Sequence, residues 1–582
     1  MPEYIISQRD PRGERTEQLA AVKSAHTYNV EYGFPVAAGP DDGNGPSRSW
    51  RLKATTEQER LRLNLVEMRR RGRWDFVNDL QPLAPRRLAT MVREKDVGGL
   101  LDYFMPVPGG RKHPDRTNTL KDFQDVFATI KPPEVVGRSE TDEYFAEMMV
   151  AGPDPTRLTR METVPGKFPL TSEHLHSVPE LAYDTLESAL AAGRVYWVDH
   201  APMAVLDNGR HPQAPKYMYS PMAAFAVPRD GGPIRPFAIQ CGQDPAGREI
   251  YTPADGYSWK LAKNCVLVAH NTYHGEVTHL GRTHLISEAV LLAAVRNLAS
   301  VHPVAVLLRR HFEGTASINK LAVELLIQPG RAVEYLIGSD LKSTYPWIAD
   351  HRKNFSFTGN YLPAKLERSG TDGAAVLPYY PYRDDGLLVW TAIRRWADAF
   401  VDGYYRTDAD VREDHELQAW AAEVASPDGG AVRDFGLTPG EINDRTDLAE
   451  ILTMVIWTAG PQHAAVNFTQ LEHLSYLPAN PLAGFTEEPR GRDHTLDDWL
   501  ANLPPLDVAV QQLCLMNFLG SVRSTTLGDY EDDFKNTPVA DGLRGFRLDL
   551  SAAEDEVTQR NRRRPHAYEY LRPSLIPNST NI

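Results

Sequence analysis

The chain has 582 residues, a formal net charge of −14, and 42% hydrophobic against 24% charged residues, the composition of an ordinary globular protein. Its acidic balance argues against nucleic acid as a partner. Cys241, Cys265 and Cys514 are too few and too scattered for a disulfide frame or a thiolate metal site, and fit a reducing, cytoplasmic location.

The N-terminus, MPEYIISQRDPRGERTEQ, carries charge throughout, and no apolar run reaches about 18 residues. Neither export nor membrane spanning is expected, and at most peripheral membrane contact. Residues 36–48 are rich in Gly, Pro, Asp and Ser, and read as a loop that follows a loosely structured N-terminal extension within 1–55. The first helix is expected to start at a capping box of Thr56 and Glu59, to bury Leu61, Leu65 and Met68, and to stop at Gly72. Short β runs VYWVDH, MAAFAV and PFAIQ, with a turn at 229–232, predict a small β subdomain over about 193–250 beside a helical body.

WKLAK at 259–263 leads into a stretch holding His270, His274, His279, His284, His302 and His311. Neither Gly nor Pro falls between Thr283 and His302, and apolar residues surround that segment, which predicts a helix buried almost all round. Buried imidazoles are costly unless bonded. The dense repeat His274, His279, His284 suggests a metal, the alternative being three separately bonded core histidines. Residues five apart in an α-helix are turned by about 500° and point roughly 140° away from each other. A π-type turn, closing i to i+5, brings them onto one face.

Further on, residues 379–420 predict long helices with Trp390, Trp396 and Trp420 as core. At 446–470, Leu448, Ile451, Leu452 and Val455 repeat at helical spacing, and Pro461 should kink that helix or start a new one. His463 and Asn467, four apart, share a face.

The spacing of His274, His279, His284, His302 and His311, followed by HAAVNF at 463–468 and the ending IPNSTNI, resembles the lipoxygenases from about residue 140 onward. The resemblance implies a mainly α catalytic domain of bacterial type over 56–582, built around a long central metal-binding helix. Plant and animal members usually carry an N-terminal β-sandwich lipid-binding domain, which would need many alternating strands before the catalytic region; no such strand series is seen in the sequence, so a catalytic domain standing alone is expected. Carried over residue by residue, it makes His279, His284, His463, Asn467 and the main-chain carboxylate of Ile582 ligands of a non-haem iron. Manganese would be served by the same donors. His274 and Gln470 are expected to support the ligands from behind.

In INKLAVE, Ala322 stands where the family carries Ala or Gly; Ala goes with S hydroperoxides, because its methyl blocks oxygen from one carbon of the substrate. Leu326 and Val333 are expected pocket walls. Departures from the family pattern are Asp154 for Asn, Gly275 for Gln, Val323 for Arg and Thr469 for Gly. Asn480 stands where plant members place an Arg for the substrate carboxylate. The basic group Arg560, Arg562, Arg563 and Arg564 reads as a solvated or ion-paired face rather than a substrate clamp.

Three imidazoles, an amide oxygen and one carboxylate, without thiolate, suit octahedral iron with an open position. The implied activity inserts O2 into polyunsaturated fatty acids of the linoleate or arachidonate type, after hydrogen abstraction by ferric hydroxide, to give S hydroperoxides. The alternatives are a fatty-acid hydroperoxide isomerase or epoxyalcohol synthase on the same fold, and a non-catalytic lipid-binding protein.

Overall fold

The computed structural model describes residues 14–38, 48–71, 119–212 and 215–582, together with Tyr4, Ile6 and Ser7. In chain order it places helix α1 (Glu14–Ala25), the hairpin β1 (Thr27–Asn29) and β2 (Val36–Ala38), α2 (Arg48–Arg70) and α3 (Asp142–Ala151). Strands β3 (Thr159–Arg160), β4 (Val195–Asp199), β5 (Met222–Ala226) and β6 (Arg235–Gln240) follow. The remainder is helical: α4 (Tyr257–Tyr273), α5 (Leu285–Asn297), α6 (Thr315–Ala322), α7 (Leu341–Lys353), α8 (Pro381–Tyr404), α9 (His415–Ala425), α10 (Arg445–Trp457), α11 (His463–Asn467), α12 (Leu506–Ser521) and α13 (Ala540–Asn561), with shorter turns between. The fold is mainly α, as the sequence predicts.

The four strands β3 to β6 form one antiparallel sheet in chain order. Side chains alternate across a strand, and here both faces are used. Val195, Met222, Ala224 and Ala226 face a small apolar cluster of their own, while Tyr196, Val198, Ala223 and Phe225 join the large helical core. Pro236 cannot donate to a ladder, and it sits on the outermost strand, where the register with β5 shifts between Ala224 and Phe225.

Two expectations near the N-terminus change. Helix α2 begins at Arg48, so Thr56 lies in mid-helix and its hydroxyl donates back to the Leu52 carbonyl at 2.9 Å instead of capping. Neither Gly nor Pro interrupts residues 47–71, and Trp50, Ala54, Leu61 and Met68 form one buried face along the whole length, so burial outweighs the local cap signal. Residues 36–38, read as loop, are strand, and the Ala37 amide donates to Glu288 on the central helix at 2.9 Å. Arg15 pairs with the buried Glu416 at 2.6 Å, so residues 14–38 are tied to the helical body. The stop at Gly72 and the 39–47 part of the loop lie outside the described residues.

At the centre runs one helical rod, α4 through a π segment (His274–His284) into α5, buried on nearly every face up to Asn297. Trp390, Trp396 and Trp420 are buried on α8 and α9, as expected of a core. Pro461 neither breaks nor restarts its helix. It is accommodated in a second π segment, Thr458–Gln462, that joins α10 to α11 without interruption.

Candidate active site

The wide turn does what the five-residue spacing requires. The Leu285 amide reaches back to the Leu280 carbonyl, and the Thr283 hydroxyl donates to the Thr278 carbonyl at 2.8 Å, both spanning five residues. His279 and His284 therefore share a face, with their Nε2 atoms 3.1 Å apart and rings at 77°. His463 arrives from α11 and completes a group of three buried imidazoles whose donor atoms all lie within 4.8 Å of one another. The last residue, Ile582, is 1% exposed, and its main-chain oxygen lies 3.1 Å from His463 Nε2.

Burial holds all three imidazoles neutral, His284 at about 4 and His279 and His463 well below the usual histidine range. The tautomer of His284 is set by its neighbour. Its Nδ1–H donates to Asn319 Oδ1 at 2.8 Å, which leaves Nε2 as a lone pair aimed at the cluster. Asn319 is itself held by its amide, which donates to Glu288 at 3.0 Å and to the His284 carbonyl at 3.2 Å. Donors on a metal at about 2.1 Å stand roughly 3 Å apart when they occupy neighbouring octahedral positions. The 3.1 Å spacing and the unprotonated nitrogen fit that demand.

Asn467 is fully buried; its amide nitrogen donates to the Leu519 carbonyl at 2.7 Å, and Gln470 donates to its Oδ1 at 3.0 Å. His274 turns away from the cluster, donating from Nε2 to the Val466 carbonyl at 2.7 Å while stacking on the His279 ring, and so clips the two histidine-bearing helices together. The other spaced histidines are structural. His302 caps the next helix and donates to Asp414 at 3.0 Å, whereas His311 bonds the Asn578 carbonyl at 2.9 Å and the Tyr530 hydroxyl at 2.8 Å.

Beside the imidazoles lies an apolar cavity. His279, His284 and Ile582 line it, and so do Ala322, Leu326 and Val333, the three residues expected there. A third π segment, Val323–Ile327, widens the helix directly after Ala322. Asn480, at the place of the expected carboxylate partner, is fully buried in a knot with Tyr144, His473 and Asn271 and does not line the cavity. Arg560 and Arg564 pair with Asp385, as an ion-paired face requires.

Asn319, Glu288 and Glu276 were missed by sequence reasoning. The first two act through long-range hydrogen bonds, and a lone Glu on a buried helix carries no local signal. Asp154, one of the departures, accepts from the Thr278 hydroxyl at 2.6 Å and so holds the π segment from behind.

A mainly helical body that gathers three buried imidazoles and Ile582 beside an apolar cavity defines a class of metal-dependent enzyme acting in an apolar pocket. The family model for Lipoxygenase matches residues 114–565, and the chain belongs to that family. It is therefore an oxidoreductase of the dioxygenase type with a catalytic metal. It is 40% identical over 486 residues to a linoleate 9/13-lipoxygenase of Pseudomonas aeruginosa, covering 80% of this chain and 70% of that one. A human hydroperoxide isomerase is 29% identical over 478 residues, 80% of this chain and 66% of that one. The crystal structure of a coral 8R-lipoxygenase superposes with a TM-score of 0.84 at 25% identity, over all of this chain and 83% of the other.

Proposed function

We propose that residues 56–582 form the catalytic domain of a cytoplasmic iron lipoxygenase that oxygenates polyunsaturated fatty acids of the linoleate or arachidonate type to S hydroperoxides. The observation that carries this reading is the convergence of His279, His284, His463 and Ile582 beside a cavity that His279, His284, Ile582 and Ala322 line. These four, with Asn467, would hold the iron. Bound there, iron would supply the one-electron redox chemistry by which the C–H bond between two cis double bonds is broken.

The chain's own residues prepare that chemistry. Asn319 keeps the proton of His284 on Nδ1, and Leu519 orients the Asn467 amide. Apolar walls at Leu326, Val333 and their neighbours exclude water and align the acyl chain. The Ala322 methyl covers one end of the reacting pentadiene and leaves the other open to oxygen. Three unpaired, buried cysteines support the cytoplasmic assignment.

Oxygen uptake with linoleate and arachidonate, on protein with a free C-terminus and known metal content, tests the proposal. Conjugated S hydroperoxides should appear as oxygen falls, and iron should be found near one per chain. Metal without oxygen uptake, but with loss of added hydroperoxide, would replace this reading with the isomerase reading, which the human relative supports. Manganese in place of iron would correct the metal alone.

A further inference from the structure

Glu276 sits on the π segment and lines the cavity, and it is 6% exposed. Its side chain makes no hydrogen bond or ion pair among the described residues. The Tyr345 hydroxyl, which feels its charge, spends its own proton on the Ile327 carbonyl. Among the described residues that line the cavity, Glu276 is the sole acidic side chain, and none is Lys or Arg. Burial raises its carboxyl to about 7.

An acyl chain that fills this cavity displaces water and leaves the carboxyl without a partner, which penalises a purely hydrocarbon ligand. Three kinds of polar group on a lipid could answer it. A carboxylate head would set two carboxyls side by side with no Lys or Arg among the described lining residues, a pair that holds only while one proton is shared between them. An ammonium head would be stripped of water against a single carboxylate, in a described lining with Phe518 as its one Phe, Tyr or Trp face. A hydroxyl or hydroperoxyl on the chain donates one hydrogen bond, carries no charge and satisfies the carboxyl.

We propose that Glu276 is a specificity-determining contact that selects acyl chains already carrying a hydroxyl or hydroperoxyl group, whose O–H donates to its carboxyl. The inference rests on the cavity being the lipid site of the function proposed above, and it deepens that function by naming oxygenated chains as a second substrate class. A site built to bond a ligand hydroxyl rejects the analogue lacking it, because its own polar group is left bare.

Stearate and a set of hydroxystearates that differ only in the position of the hydroxyl have no double bonds, so binding can be read by calorimetry without turnover. At least one hydroxystearate should bind the intact protein about tenfold or more tightly than stearate. That preference should vanish in Glu276→Leu and Glu276→Met, with stearate binding gaining, and persist in Glu276→Gln, whose amide still accepts. The proposal is overturned if every hydroxystearate binds the native protein no better than stearate, or if the preference survives in Glu276→Leu or Glu276→Met. The comparison within the native protein stands even where a variant does not fold. Oxygen uptake with linoleate is read separately: uptake without a hydroxyl preference sinks this inference alone, and a Glu276-dependent preference without uptake sinks only the proposed oxygenation.

Discussion

His279 and His284 belong to a helix, whereas Ile582 belongs to a tail, and the two are held in opposite ways. The imidazoles ride on a buried rod whose own backbone ladder sets their separation. The tail has no ladder. His311 bonds the Asn578 carbonyl at 2.9 Å, and the Asn578 main-chain N–H donates to the Thr525 hydroxyl at 3.0 Å; Ser579 donates to the Glu313 carbonyl at 2.7 Å, and Thr580 meets Thr315 at 2.8 Å. Gly314 serves this clamp twice. Its φ of +78° suits glycine, and a side chain there would stand 3.2 Å from the Asn581 Cβ. A donor on a helix is thus placed by local geometry, and a donor on a tail only by the whole surrounding fold.

The sharpest way to break this comparison is to remove the donors themselves. His279→Ala, or one extra residue after Ile582, should abolish metal retention in elemental analysis and lower oxygen uptake by about 10³-fold or more. Circular dichroism should show the helices intact in both. A chain extended past Ile582 that keeps full metal and full activity would rule the terminus out as a ligand.

Smaller effects should separate the two supports. His311→Phe and Gly314→Ala leave every proposed ligand in place but loosen the tail, and should weaken metal affinity about 10- to 100-fold in competition with a chelator. Asn319→Ala should act on the helix side by a similar factor, through the lost bond to His284 Nδ1. Equal metal affinity in His311→Phe and the native protein would show that the tail needs no clamp.

The clamp should also be sensitive to acid. Burial lowers His311 from the usual 6.5 to about 4, so the unfolded chain takes up its proton first as pH falls. Stability is therefore full above about 6.5 and is lost progressively toward about 4, by an amount on the order of 1–3 kcal/mol for this residue. Thermal melts across that window should show a shallower slope in His311→Phe. The smallest effect is expected at Ala322→Gly, which should change the ratio of product stereoisomers on chiral chromatography while total oxygen uptake changes by less than about tenfold, since only a methyl contact differs.

Much of the candidate site was legible because its signals are local. Five-residue histidine spacing on an unbroken apolar stretch points to a π turn before any coordinates are known, and HAAVN places His463 and Asn467 on one helical face. The sheet was legible from alternation, and the tryptophans of 379–420 from their apolar helical setting. Misreadings arose where a local signal competed with burial. Thr56 and Glu59 look like a cap, yet the apolar face running back to Trp50 carries the helix eight residues further. Residues 36–38 look like loop, yet pairing with β1 and the bond to Glu288 makes them strand.

The chain by itself determined which residue types are offered as ligands and which helices carry them, since side-chain chemistry and helical period are properties of neighbours in sequence. It also settled the mainly α class. Only the tertiary structure decided that His463 and Ile582, 119 residues apart, meet the central rod, that Asn319 fixes the His284 tautomer, and that Glu276 faces a cavity without a partner among the described residues. Those outcomes depend on closing long loops and burying polar groups together, and no stretch of neighbouring residues contains that information.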